Sequence, residues 1–228
     1  MAHLFTADLH FGHSFVALIR GFDSAEDHDD FMVEEINRVT NEDDILWILG
    51  DIGIRTDDET LDKVGRLKGR KMLISGNHDS THPMHKNAWK SQAKALRVFE
   101  YVAPFQRLRL GGEDILLSHL PYFGDHITRE KQDEVLETES SEGRTEYMVN
   151  HIIPDRYEQY RLRDEGLPLL CGHVHGAWHK YEHQWNVGVD FGSPVHEADV
   201  IQWAKMMRKM KEWERLTTAQ YEKWKENR

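Results

Sequence analysis

The chain has 228 residues, 39% of them apolar and 30% charged, and a net charge of −11. This length builds one substantial core in preference to two small domains. The acidic balance argues against a protein that grips long nucleic acid nonspecifically, and no apolar run approaches the span of a membrane helix.

The chain opens MAHLFTADLH, with neither the basic region nor the long apolar stretch of a secretory signal. Residues 2–7, AHLFTA, form the first expected strand. A helix follows over 23–39: Ser24 caps it, and Phe31, Val33, Ile36 and Val39 recur at roughly helical spacing as its core face. Residues 44–49, DILWIL, are the second strand. A helix capped by Asp57 or Asp58 and stopped at Gly69 leads to a third strand at 71–75, KMLIS. Strands alternating with helices predict an α/β sheet, largely parallel at this end.

The pattern then changes. FQRLRL at 105–110, GGED and ILLS at 115–118 predict an antiparallel hairpin on a Gly-rich turn. Residues 124–166 are densely charged and predict an insertion, part loop and part helix, in which Arg129, Lys131 and Arg144 balance acidic neighbours or close over a substrate. LPLLC at 167–171 and WNVGV at 185–189 predict two more strands. Cys171, the single cysteine, reads as a small core residue; it excludes an internal disulfide and fits a reducing cytoplasm. One domain is expected over 1–196, followed by an amphipathic helix over 197–228. Trp203, Met207, Met210, Trp213 and Trp224 form its stripe, for packing on its own domain or on a second subunit of a homo-oligomer.

Histidine is abundant, at 15 residues, and one event recurs. An apolar run ends, and metal-ligand types follow. LFTA gives Asp8 and His10; ILWILG gives Asp51; MLISG gives Asn77 and His78; ILLS gives His119; LPLLCG gives His173 and His175. Each alone is an ordinary turn or surface residue. All five at strand ends predict a shared metal site, because ligands of an open α/β sheet gather outside the carboxyl ends of its strands.

These residues carry a resemblance. D-x-H at 8–10, GD at 50–51, GNHD at 76–79, SH at 118–119 and GHVH at 172–175, in that order and spacing, resemble the calcineurin-like metallophosphoesterase superfamily. TADLHFGH and residues 22–53 resemble its small bacterial and bacteriophage members. The resemblance implies an α/β fold, a two-sheet β-sandwich flanked by helices, with a dinuclear metal site at the strand ends. It implies that Asp8, His10, Asp51 and His175 hold one ion, and that Asp51, Asn77, His119 and His173 hold the other. His78 would stand beside them as the catalytic acid.

The residue types suit that chemistry. Two divalent ions can clamp a phosphoryl group and activate a water at neutral pH. Histidines suit manganese, the first expectation, and also iron, zinc, cobalt or nickel better than calcium or magnesium. His78 can give a proton to a leaving oxygen. Asp79, beside it, orients His78, raises its pKa or stabilises the turn. His13 is a helix-start residue or a substrate contact, and Arg55 a phosphate contact or a solvated loop residue.

The expected function is hydrolysis of small phosphodiesters, cyclic nucleotides such as 2′,3′-cyclic ones among them, in the cytoplasm and without a membrane. A phosphomonoesterase, a nuclease on short oligonucleotides and a non-catalytic scaffold of the same fold are the competing readings. The protein-phosphatase branch resembles G-D-x-V-D-R-G and R-G-N-H-E at the second and third motifs; here stand GDIGIRT and SGNHD. Ser75 thus replaces one phosphate-clamping arginine, and Ile54 an acid.

Overall fold

The computed structural model describes residues 1–122 and 157–226, with side chains as far as Lys211. The expected insertion at 124–166 therefore lies largely outside the described residues.

The first sheet is built as the alternation predicts. Strands β1 (His3–Thr6), β2 (Ile45–Ile48), β3 (Arg70–Ile74) and β4 (Tyr101–Ala103) run parallel in that order. Helices α1 (Ser14–Ile19) and α2 (Ala25–Val39) connect β1 to β2, α3 (Asp58–Gly65) connects β2 to β3, and α4 (Ala88–Ala95) connects β3 to β4. Parallel neighbours require such crossovers. Ser24 caps α2 by accepting from Asp27 N, and Asp57 caps α3 by accepting from Thr60 N. Helix α3 ends at Gly65, not at the expected Gly69. Gly69 instead takes φ +81° in the turn before β3, where a Cβ would lie 2.9 Å from the Asp44 carbonyl oxygen.

The second sheet starts with the expected hairpin. Strands β5 (Phe105–Leu110) and β6 (Glu113–Ser118) are antiparallel across Gly111 and Gly112, both at positive φ. Strand β7 (Leu169–Cys171) joins β6 in parallel, β9 (Gln184–Asn186) joins β7, and β8 (Lys180–Tyr181) closes the far edge. Strand β10 (Val195–His196) returns to the first sheet, antiparallel to β1. Helix α5 (Glu197–Glu226) follows it directly. The orders are β10-β1-β2-β3-β4 and β5-β6-β7-β9-β8.

Alternation along each strand explains the layers. Phe5, Ile45, Trp47, Leu49 and Ile74 point between the sheets, where Ile115, Leu117, Leu170 and Trp185 meet them. Leu4, Leu46, Ile48 and Leu73 point outward onto Met32, Val33, Ile36, Leu61 and Phe99 of the helical layer. The result is the α/β two-sheet sandwich flanked by helices.

Two expected core stripes are narrower than the sequence suggests. Phe31 of α2 is 46% exposed, because Met32, Val33 and Ile36 take the face toward the sheet. In α5, Val200, Trp203 and Ala204 are buried in the inter-sheet core, and Trp203 meets Trp185 edge-on at 5.4 Å. Met207 packs partly there, but Met210 is 52% exposed, as the helix has run past the sheet edge. Cys171 is a buried core residue.

Candidate metal centre

The loops after β1, β2, β3, β6 and β7 converge. They bring Asp8, His10, Asp51, Asn77, His119 and His173 into one buried cluster, with His175 half-buried beside it. Burying so many polar groups is costly unless each finds a partner.

The backbone is unusual here. Among the described residues six non-glycines have positive φ, and five of them are Asp8 (60°), His10 (50°), Asp51 (54°), His173 (72°) and His175 (45°). Asp and His tolerate the left-handed region better than bulky residues, yet each such residue still costs about 1–3 kcal/mol. The strain turns successive side chains inward from loops that would otherwise diverge. Glycine makes the close approach possible. A Cβ on Gly76 would lie 2.2 Å from Asp51 Oδ1, and one on Gly50 would lie 2.6 Å from both Gly76 Cα and His119 Nδ1.

The donor atoms face one another. Asn77 Oδ1 lies 2.8 Å from His173 Nδ1 and 3.0 Å from His119 Nε2. Asp51 Oδ2 lies 3.4 Å from His119 Nε2 and 3.8 Å from His10 Nε2. Ligand atoms of Asp8, His10 and His175 fall within 4.8 Å of one another, as do those of Asp8, Asp51 and His119. His10 has both ring nitrogens buried with no hydrogen-bond partner. Mixed oxygen and nitrogen donors around an orphaned imidazole fit a divalent transition metal.

Outer contacts orient these ligands. His119 Nδ1 donates to the Leu49 carbonyl at 2.7 Å, which leaves Nε2 for the site. His175 Nδ1 lies 3.1 Å from Asp190 Oδ2. Arg20, the C-cap of α1, donates to both Asp190 oxygens at 2.8 and 3.1 Å and to the Asp8 carbonyl at 2.9 Å. Its Nη1 also reaches His28 Nε2 at 3.1 Å, and His28 Nδ1 lies 2.9 Å from Asp29 Oδ1. Asp29 in turn accepts from Gly12 N and Lys63. Ligand-orienting partners of this kind fix ring orientation and tautomer.

The electrostatics follow. Burial opposes ionisation of Asp51, but His119 and His10 outweigh it and hold the carboxyl below the usual range. Burial also opposes charge on His119, yet Asp51 pushes its pKa up to about 9. Burial lowers His10 to about 3, so it is neutral. The Asp190 hydrogen bond raises His175.

The remaining candidates separate. His78 is exposed beside the cluster, its ring edge-on to His10 at 5.6 Å, and its backbone N donates to Asp51 Oδ1 at 2.9 Å. Asp79 does not engage His78. Its buried carboxylate accepts from Gly76 N, Asp51 N and Ile52 N, which ties the β2 and β3 loops together. Of the three expected roles, these contacts are of the kind that stabilises the turn. Burial and then Asp51 push its pKa up to about 7. His13 caps α1, with Nδ1 accepting from Val16 N at 3.4 Å, and stands edge-on to His10 at 5.6 Å. Arg55 is exposed and does not line the cleft over the cluster. Gly53 is bridged to Phe11, and the chain then runs outward to the α3 cap, carrying Arg55 away.

That cleft holds about 850 Å³. Asp51, Asn77, His78, His173 and His175 form its floor, and α1 and α2 supply an apolar wall. Arg20, Asp190 and Tyr157 line it too, and sequence reasoning missed all three. Asp190 had a usable signal: WNVGV also ends in a ligand-type residue, as the other five runs do.

Comparison with known proteins agrees with this architecture. The family profile described as calcineurin-like phosphoesterase matches residues 1–177. The gene 66 protein of Mycobacterium phage L5 is 35% identical over 212 residues, 86% of this chain and 90% of that protein. The gene 66 protein of Mycobacterium phage D29 is 37% identical over 179 residues, 75% of this chain and 77% of that protein. The crystal structure of AQ665 from Aquifex aeolicus, a protein of unknown function, shares the fold with a TM-score of 0.56 at 24% identity, covering 88% of this chain and 98% of that one. The chain belongs to the calcineurin-like phosphoesterase family, and is a metal-dependent phosphoesterase.

Proposed function

We propose that this phosphoesterase hydrolyses small phosphodiesters, 2′,3′-cyclic nucleotides among them, with two divalent transition-metal ions. Asp8, His10, Asp51 and His175 would hold one ion, and Asp51, Asn77, His119 and His173 the other. Manganese is the first choice for both. The observation that supports the shared ligand is the position of Asp51 Oδ2, which faces His119 Nε2 on one side and His10 Nε2 on the other. When bound, such ions polarise phosphoryl oxygens and supply an ionised water at neutral pH.

The chain's own groups do the rest. Asp51 is held anionic, burial pushes the Asp8 carboxyl pKa up, and Asn77 is neutral, which limits repulsion of an anionic substrate. His78 stands on the cleft floor, exposed to substrate, with its backbone pinned to Asp51. It is placed to give a proton to the leaving oxygen.

Charge balance favours a diester. A monoester is largely dianionic at neutral pH and profits from extra cationic clamps. Ser75 is buried and bonded to Thr81 Oγ1 at 2.7 Å, so no cation stands there. Arg55 lies off the cleft. Among the described residues, Arg20 is the one lysine or arginine lining it, and Asp190 and two backbone carbonyls occupy its guanidinium. The test compares kcat/KM for bis(p-nitrophenyl) phosphate and p-nitrophenyl phosphate under one metal and pH, with a 2′,3′-cyclic nucleotide alongside. The diester should be preferred. A tenfold preference for the monoester, about 1.4 kcal/mol of transition-state binding, would contradict the reading.

A further inference from the structure

The wall of the cleft is more exposed than an ordinary helical surface. Phe15 and Ile19 of α1 are 65% and 68% exposed, and Phe31 of α2 is 46% exposed. All three line the same cleft as Asp51, Asn77 and His78. Phe22 lines it as well, its ring 5.3 Å from that of Phe31. Leaving large apolar side chains in water forfeits the burial that would stabilise the fold. A contiguous exposed apolar patch of this kind marks a contact surface.

Position identifies the occupant. The patch shares one cavity with the candidate metal ligands, so a molecule whose phosphoryl group sits on the floor must extend along it. Three phenyl rings, Phe15, Phe22 and Phe31, stand in the wall beside Val16, Ile19, Met32 and Val189. Helix α1 has six residues, so the shelf it offers is only about 9 Å long. That length suits a compact planar ring system better than an extended acyl chain. Phenyl rings stack on flat aromatic groups and tolerate any of them, since every such group has a π-face.

Resting on the phosphoesterase reading, we infer that Phe15, Ile19 and Phe31 form a subsite for an aromatic group carried on the substrate's alcohol, with a nucleoside as the biological instance. The subsite reads the face of the ring and not its edge, so it discriminates weakly among bases. This also accounts for Phe31, which the helical spacing places in the core but the structure turns toward the cleft.

The test uses the metal-loaded protein and phosphodiesters that share a p-nitrophenol leaving group but keep a methyl, a hexyl or a phenyl ester. The phenyl ester should exceed the methyl ester in kcat/KM by about tenfold or more, near 1.4 kcal/mol. That ratio should collapse to about threefold or less in Phe15→Ala and in Phe31→Ala. Both side chains are exposed, so neither variant endangers the fold, and circular dichroism would check this. An undiminished ratio in both variants would overturn the subsite, and a hexyl ester equal to the phenyl ester would overturn its aromatic character. A binding arm separates this from the hydrolase reading: adenosine monophosphate and methyl phosphate are titrated by calorimetry. If no ester is hydrolysed but the nucleotide binds about tenfold tighter, and Phe15→Ala removes that margin, the subsite stands and the hydrolase reading fails. If the nucleotide has no advantage and the phenyl ester none either, the subsite is wrong.

Discussion

His10 is the residue whose surroundings most need explaining. Its two buried ring nitrogens have no hydrogen-bond partner, while its neighbours Asp51, Asp8 and His175 turn donor atoms toward the same space. A metal resolves that imbalance, and protons compete with it. His10 is already neutral, but His119 is held protonated below about pH 9 by Asp51. A cation can bind His119 only after that proton leaves. Metal affinity should therefore rise about tenfold per pH unit toward pH 9 and level off above it. Calorimetry at pH 7 in buffers of different ionisation enthalpy should show a proton released on metal uptake; a buffer-independent heat would exclude this. His78→Ala should keep its metals and lose rate. The loss should be greatest for a poor alkoxide leaving group and small for nitrophenolate, and equal losses on both would remove the general-acid role. Asp79 makes a different prediction. Its loss leaves three buried N–H groups unpaired, so Asp79→Ala should destabilise the protein by about 3 kcal/mol or more, near 10 °C in Tm by thermal unfolding. At this scale the ligand types were legible, because each follows an apolar run. The role of Asp79 was not, because sequence adjacency to His78 says nothing about which way a side chain points in a turn.

At the scale of elements, the short helix α1 joins the candidate metal ligands to the helical layer. Its C-cap Arg20 fixes Asp190, and Asp190 fixes His175. Only the candidate site containing His175 depends on that chain of contacts. Asp190→Asn or Arg20→Ala should weaken that site by about 10–100-fold and leave the other nearly intact. Electron paramagnetic resonance of the manganese-loaded variants should show a mononuclear spectrum in place of a coupled pair. Retention of the coupled signal at low metal would exclude this role. Of helix α1 the sequence offered only a start at His13 and not its extent, since six residues are too few to show a periodic stripe. Among the elements that were expected, β1 to β3, the β5–β6 hairpin and α2 have apolar runs or explicit caps. Phe31 in α2 and Met210 in α5 broke their patterns for opposite reasons. One faces the cleft, and the other has run past the sheet that would bury it.

At the scale of the molecule, two sheets close on one apolar layer, and their loops meet at one edge. The start of α5 belongs to that layer through Val200, Trp203 and Ala204. Trp203→Ala should cost about 3–5 kcal/mol and lower Tm by 10 °C or more, read by thermal unfolding. No described helix is long and apolar enough to cross a membrane. The convergence of distant loops was legible only as a count of similar strand ends; which donor faces which depends on the five left-handed residues, and no single-sequence pattern marks those. The central claim is that two metals share Asp51. The direct measurement is metal content per chain, by inductively coupled plasma mass spectrometry, for the wild type and Asp51→Asn after equilibration with manganese and removal of free ions. The account predicts two ions in the wild type and substantial loss from both sites in the variant, whereas one ion in the wild type, or two retained in Asp51→Asn, would contradict it.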